Sequence, residues 1–186
     1  MNEKDLIVDL GCGPGNISQK LAIKWPNTEV VGIDGSKEMI LRAEYNKEIS
    51  SNKKKLKNLR YICSDIKDIK SINFSINKEI SLLVSNSLIH HITHLEDFFN
   101  TIKRLSNNMT VNFHKDLKRP FNEKTALELK AQCSTKYNAI LTNDYYASLK
   151  ASYTFKELKN FTLENDLSSL EVFEDGDKYL IVYGNV

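Results

Sequence analysis

The chain has 186 residues, 26 Lys and Arg against 24 Asp and Glu, and 41% hydrophobic side chains. That length favours one domain with a sizeable core, and a net charge of +2 lacks the strong basic footprint of a nucleic-acid-binding protein. No run of eighteen apolar residues occurs, so no membrane-spanning helix and no membrane partner are expected. Cys12, Cys63 and Cys133 are odd in number and lack C-x-x-C spacing. They argue for a reducing, cytoplasmic setting and against a disulfide framework or a zinc site. The opening Met-Asn-Glu-Lys-Asp is polar and acidic and does not read as a signal peptide.

The first predicted element is a strand over Leu6–Leu10, closed by Gly11-Cys12-Gly13-Pro14-Gly15. A helix over roughly 16–24 follows, and a second strand over Glu29–Asp34 ends in an acid nineteen residues after the last glycine. This is half of a doubly wound α/β sheet, in which ligands sit outside the carboxyl ends of the strands. Glycines in such a turn permit positive φ and a close approach of backbone to ligand, and an acid at this distance suits ribose hydroxyls. Ser36 caps a predicted helix reaching about Asn52, with Met39, Ile40 and Ala43 on one face. The lysine run Lys53-Lys54-Lys55-Leu56-Lys57 lies between that helix and the next strand. It reads as a solvated loop near a helix C-terminus rather than a nucleic-acid patch.

Strand patterns recur at Tyr61–Ile66, at Ser81–Val84 with the exit Ser85-Asn86-Ser87-Leu88-Ile89-His90-His91, and at Val111-Asn112-Phe113 with an exit running to Pro120. A helix over 94–105 separates the last two, apolar at Leu95, Phe98, Phe99, Ile102 and Leu105. Residues 121–150 show helical segments without a strand between them, and Thr154-Phe155-Lys156-Glu157 forms a capping box. Two strands, about Leu170–Phe173 and Tyr179–Tyr183, close the chain through a turn-rich link.

The glycine spacing is G-x-G-x-G rather than the G-x-G-x-x-G of dinucleotide sites. Asp9, two residues before Gly11, would repel a pyrophosphate and suit a ligand carrying an ammonium group. D-L-G-C-G-P-G followed by G-I-D-G-S resembles the first two motifs of the class I S-adenosylmethionine-dependent methyltransferases. The later strand exits agree with that family in order and spacing. The resemblance implies a Rossmann-like, mostly parallel seven-stranded sheet with an antiparallel last pair, in one domain over 1–186. It implies S-adenosylmethionine as cofactor, held by Asp9, Gly11, Cys12, Gly13, Gly15, Asp34, Gly35, Ser36, Met39, Asp65, Ile66 and Asn86. The implied reaction is in-line methyl transfer. Because the leaving thioether is neutral, a base is needed only for an acceptor that arrives protonated. His114, Asp116 and His90 are the candidates for it.

Two departures bear on substrate. Family members usually carry helices ahead of the first strand, and here that strand begins at about residue 6. The segment 121–150 is therefore expected to cover the site, with Tyr145 or Tyr146 facing the cofactor and Phe121, Leu127, Leu129, Ile140 and Leu141 buried against a surface; a homodimer is the alternative cover, and an open cleft with weak binding and little activity is the third outcome. The exit Ser85-Asn86-Ser87-Leu88 also lacks the Asn/Asp-Pro-Pro-aromatic pattern of enzymes acting on exocyclic or amide nitrogens. A small-molecule acceptor is expected, and nucleic acid is not. The histidine pair reads as one packed and one solvated residue. His90, His91 and His94 lack a carboxylate to complete a metal site. Asp116 and Arg119 read either as a surface pair or as substrate-side groups. The rival readings are a methyltransferase-like binding subunit without catalysis and a nicotinamide oxidoreductase. Glycine spacing and Asp9 disfavour the second.

Overall fold

The computed structural model describes residues 3–50, 56–71 and 78–186; Lys53, Lys54 and Lys55 lie outside them. In chain order the elements are β1 (Asp5–Leu10), α1 (Asn16–Lys24), β2 (Glu29–Asp34), α2 (Lys37–Ser50), β3 (Leu59–Cys63), β4 (Glu79–Asn86), α3 (Leu95–Leu105) and β5 (Val111–Leu117). They are followed by α4 (Glu123–Ser134), α5 (Ala139–Ala151), α6 (Phe155–Glu164), β6 (Leu170–Asp175) and β7 (Tyr179–Gly184), with 3-10 turns at Ile66–Ser71 and Ile89–His91. The seven strands form one sheet in the order β3-β2-β1-β4-β5-β7-β6. β1 to β5 pair in parallel, and β7 runs antiparallel to both β5 and β6. Register aligns Leu10 with Ile33 and Ser85, Asp34 with Cys63, and Asn86 with Lys115, so the carboxyl ends of the five parallel strands open on one edge.

β1 lies at the centre and is covered on both faces, which is why it is apolar at Leu6, Ile7, Val8 and Leu10, with Asp9 as a buried exception. Its even residues, Leu6, Val8 and Leu10, join Val31, Ile33, Phe98, Phe99 and Ile102 in one core. Ile7 faces the other way and packs with Ala22, Val30, Leu56 and Leu59. This is the alternation a strand imposes. α3 contributes Leu95, Phe98, Phe99 and Ile102 from one stripe, with acids in its first turn and bases in its last, as the helix dipole favours. Phe98 meets Phe99 edge-on at 5.3 Å, and Phe99 stacks on Phe161 of α6 at 5.1 Å.

The helices after β5 start where side chains cap them. Asn122 accepts from the Thr125 N–H, Asn138 accepts from the Leu141 N–H, and Thr154 with Glu157 closes the expected capping box. α4 and α5 pack on each other, and α5 packs on the Ile89–His91 turn. The expectation that this segment buries its apolar residues fails for four of the five. Phe121 is 97% exposed and Ile140 72%, and Leu127 and Leu141 are about half exposed; Leu129 is the one partly covered. Asparagine caps and helix pairing suffice to form α4 and α5, and neither requires those side chains to face the sheet. Met39 also departs from expectation. It is exposed, and Ala43 is the buried residue of α2.

Candidate active site

The turn after β1 is held by three polar contacts, two of them to β2. The Cys12 N–H donates to the Ile33 carbonyl at 3.0 Å, and the Gly15 N–H donates to the Cys12 carbonyl at 3.0 Å. The third is the Asp34 carboxylate, which accepts the Gly13 N–H at 2.8 Å on Oδ2 and the Ser36 N–H at 2.9 Å on Oδ1. Asp34 thus bridges two turns, and each oxygen keeps acceptor capacity for a further donor. From α2, Asn46 Nδ2 donates to the Pro14 carbonyl at 3.0 Å and holds the far side of the turn.

The three turn glycines all have positive φ but differ in what surrounds them. A Cβ on Gly11 would lie 2.6 Å from Leu88 Cδ1, and one on Gly15 would collide with the Tyr61 hydroxyl. A Cβ on Gly13 would meet nothing within 4 Å. Gly11 and Gly15 therefore answer to packing, whereas Gly13 presents bare backbone to open space at the head of α1. α1 begins at Asn16 after Gly15, which offers no side-chain cap, and in its first turn both the backbone and the hydroxyl of Ser18 bond the Asp9 carboxylate.

Asp9 is placed differently from expectation. It is 1% exposed, and its carboxylate accepts the Ser18 hydroxyl at 2.5 Å. It braces α1 against β1 from behind the turn and does not open on the cleft. Burial, only partly offset by the Ser18 bonds and reinforced by the charge of Asp34, pushes its pKa up to about 7. The stability tied to this group is complete below its ordinary value of 3.8 and is lost as pH rises through about 7. Asp9→Asn is therefore expected to gain roughly 2–3 kcal/mol on the parent between pH 5 and pH 8. Denaturant unfolding at the two pH values checks this; an identical difference at both would show that Asp9 does not titrate. Cys12 lines the same turn, and burial followed by the charges of Asp9 and Asp34 holds its thiol well above the usual range.

The other expected cofactor positions line the same edge. Gly35 and Met39 are exposed and Ser36 half-buried at the start of α2, where Ser36 Oγ accepts the Met39 N–H at 3.2 Å. Asp65 is exposed after β3 and its Oδ1 accepts the Lys67 N–H at 2.9 Å, capping the 3-10 turn that Ile66 begins. Asn86 is exposed at the end of β4, where its amide donates to Ser87 Oγ at 3.1 Å.

The acid–base candidates separate sharply. His114 is fully buried, contacts Ser85 Oγ at 3.0 Å and meets Phe98 edge-on at 5.0 Å. Burial pushes its pKa down to about 3. The expectation that it faces a substrate is not met, because it has no exposed surface. His90 and Asp116 do come together, with His90 Nδ1 2.5 Å from Asp116 Oδ1. The same carboxylate accepts the Ile89 N–H at 2.6 Å and the Leu117 N–H at 2.7 Å, so it locks the β4 exit to the end of β5. Both side chains are nearly inaccessible. The Asp116–Arg119 pair does not form; Arg119 instead meets Glu157 at 2.9 Å and the Ser152 carbonyl at 2.8 Å. His91 is exposed, its ring centroid 4.1 Å from that of His90. Partial burial and the neighbouring His90 hold it below the ordinary histidine pKa, against the opposing pull of Asp116 and Asp34. Among the described residues no cluster of His, Cys, Asp and Glu is arranged to hold a metal.

Sequence reasoning missed Leu88, Ser18 and Tyr61 as supports of the turn. Leu88 and Tyr61 occupy the space beside Gly11 and Gly15, and Ser18 holds Asp9. Only Ser18, one turn into a helix that starts beside a buried acid, carried a local signal.

The profile of the family described as Methyltransferase domain matches residues 2–158. The chain belongs to this family. Among curated relatives, a trans-aconitate 2-methyltransferase of Streptomyces avermitilis is 49% identical over 37 residues, which are 20% of this chain and 14% of that protein. The match thus spans a small part of the relative's length. Among solved structures, an S-adenosylmethionine-dependent methyltransferase from Aquifex aeolicus superposes with TM-score 0.66 at 19% identity, covering 98% of this chain and 82% of the other. The plantazolicin methyltransferase BpumL, solved with S-adenosylhomocysteine, gives 0.70 at 15% identity, covering 97% and 75%. The methyltransferase-domain chain therefore shares their Rossmann-like fold, and the expected strand order and antiparallel closure hold.

Proposed function

We propose that this chain transfers a methyl group from S-adenosylmethionine to a small-molecule acceptor. The observation that carries the reading is the open side of Gly13 set against an Asp34 carboxylate with acceptor capacity to spare. When bound, the cofactor supplies an electrophilic methyl group on a sulfonium. The residues fit it. Asp34 would accept the ribose hydroxyls, the glycine turn would receive the amino-acid end, and Asp65 Oδ2 would remain for the adenine amino group. Gly35, Ser36, Met39, Ile66 and Asn86 form the walls, and Asp9 and Cys12 support the turn. Proton removal, where the acceptor needs it, falls to His91, the exposed imidazole beside the cleft, with the His90–Asp116 pair fixing the turn that carries it.

Titration calorimetry tests this reading. The chain should bind S-adenosylmethionine and its demethylated product but not NAD, and Asp34→Ala should weaken the former about tenfold or more, since a charged acceptor is typically worth ~1.5–3 kcal/mol. Unchanged affinity would remove Asp34 from the site.

We read residues 121–150 as the cover of the acceptor side, in one domain with the sheet. α5 already rests on the turn holding His90 and His91, but Tyr146 faces away from the cleft, bonded to Glu123 and flanked by Lys130 and Lys150. Hydrogen exchange should show new protection in 121–150 when S-adenosylmethionine is added; unchanged exchange there would leave the cleft open. The exposed Phe121, Ile140 and Leu141 favour a second reading, in which a partner or second copy packs on this pair and the chain serves as a non-catalytic subunit. Absence of cofactor binding together with a stable complex would support it. No helix among the described residues is long and apolar enough to cross a membrane.

A further inference from the structure

A cavity of about 700 Å³ lies between α4, the α4–α5 link, α5 and the start of β7. That volume lies within the range of small-molecule sites. Its walls include Tyr137, Tyr145, Tyr179 and Leu129, and its cations are Lys136 and Lys178. No Asp or Glu lines it. Neither lysine has a carboxylate partner among the described residues, unlike the nearby Lys115, which pairs with Asp175, and Lys118, which pairs with Glu174. The acids Glu128, Glu174 and Asp177 line a separate groove that shares Lys178, and Glu174 there is already taken by Lys118. A near-neutral chain has thus gathered two unpaired ammonium groups and three phenol rings around one cavity.

The location ties it to the cleft. Tyr179 pairs with Leu117, the last residue of β5, and so stands at the ligand edge of the sheet. It lies two strand positions beyond β4, or roughly 10 Å at the usual strand spacing. Tyr145 is on α5, the helix seated against the Ile89–His91 turn.

We propose that this cavity binds an organic anion with a flat, apolar body, the lysines taking the anionic group and the tyrosines and Leu129 the body. Resting on the methyl-transfer reading, the anion is the non-reacting end of the acceptor, whose methylated group lies toward His91.

Calorimetry with 2-naphthoate and the isosteric but neutral 2-naphthamide tests it on the intact chain. The carboxylate should bind saturably and about tenfold more tightly than the amide, the ratio that a charge-assisted contact to an ammonium group supplies. The double variant Lys136→Gln/Lys178→Gln, altered only at exposed side chains, should abolish that preference while its circular dichroism and S-adenosylmethionine affinity stay unchanged. Tyr145→Ala should weaken both probes. Equal affinity for the two probes, a preference that survives in the double variant, or no saturable naphthoate binding would each overturn the proposal. Gly13→Val should lose S-adenosylmethionine yet keep naphthoate. Failure of the anion site with cofactor binding intact is thereby distinguished from failure of the methyl-transfer reading itself.

Discussion

Gly13→Val should lose measurable binding of S-adenosylmethionine and still fold. At φ +52° a side chain carries backbone strain of about 1–2 kcal/mol, but its Cβ would meet no protein atom within 4 Å. The new methyl groups would instead fill the open space beside the Gly13 backbone and Asp34, where the ligand is proposed to lie. Gly11→Ala provides the contrast. Its Cβ would press on Leu88 at 2.6 Å, so overpacking adds to the same strain, and roughly 2–4 kcal/mol of stability should be lost. Thermal unfolding and calorimetry on both variants separate a ligand-facing glycine from a packed one. Unfolding of Gly13→Val, or cofactor affinity within about twofold of the parent, would place the ligand elsewhere.

Asp116→Ala should be among the most destabilising single changes in the chain, at about 3–5 kcal/mol in urea unfolding. It would leave the Ile89 and Leu117 N–H groups and the His90 ring buried without their acceptor. Asp116→Asn keeps one acceptor oxygen and should cost less, about 1–3 kcal/mol. A loss below about 1 kcal/mol in the alanine variant would show that the turn finds other partners. The effect should reach function through position, because the turn fixed by Asp116 carries His91 and packs Leu88 against Gly11.

The first half of the sheet was legible because its signals are local. Apolar strand, glycine turn, capped helix and acid-ended strand each specify themselves within a few residues, and the structure puts them where the spacing indicated. The site behind the turn was less legible. His90 and Asp116 are separated by a helix and a strand, and nothing near either announces the other. Asp116 and Arg119 look paired in sequence, but β5 ends at Leu117 and the chain then turns, carrying Arg119 to Glu157. His114 was legible only in part: alternation puts it on one face with Asn112 and Asp116 but does not say which face is buried, and in the structure theirs is closed while Val111, Phe113 and Lys115 on the other are partly exposed. Residues 121–150 were read correctly as helical, since caps are local, and incorrectly as packed, since the covering surface is not.

The position of β1 has a consequence for synthesis. This strand, apolar over Leu6–Leu10 but for Asp9, leaves the ribosome before the other strands of its sheet, yet it pairs on one side with β4, where Asp5 meets Glu79. Until that distant strand and α3 emerge, β1 has an open edge and an uncovered face. A chain with its earliest strand at the middle of the sheet cannot bank its core as it grows. It spends translation in the state that holdase chaperones recognise, and it is vulnerable to association with neighbouring chains in proportion to how slowly residues 11–86 are made.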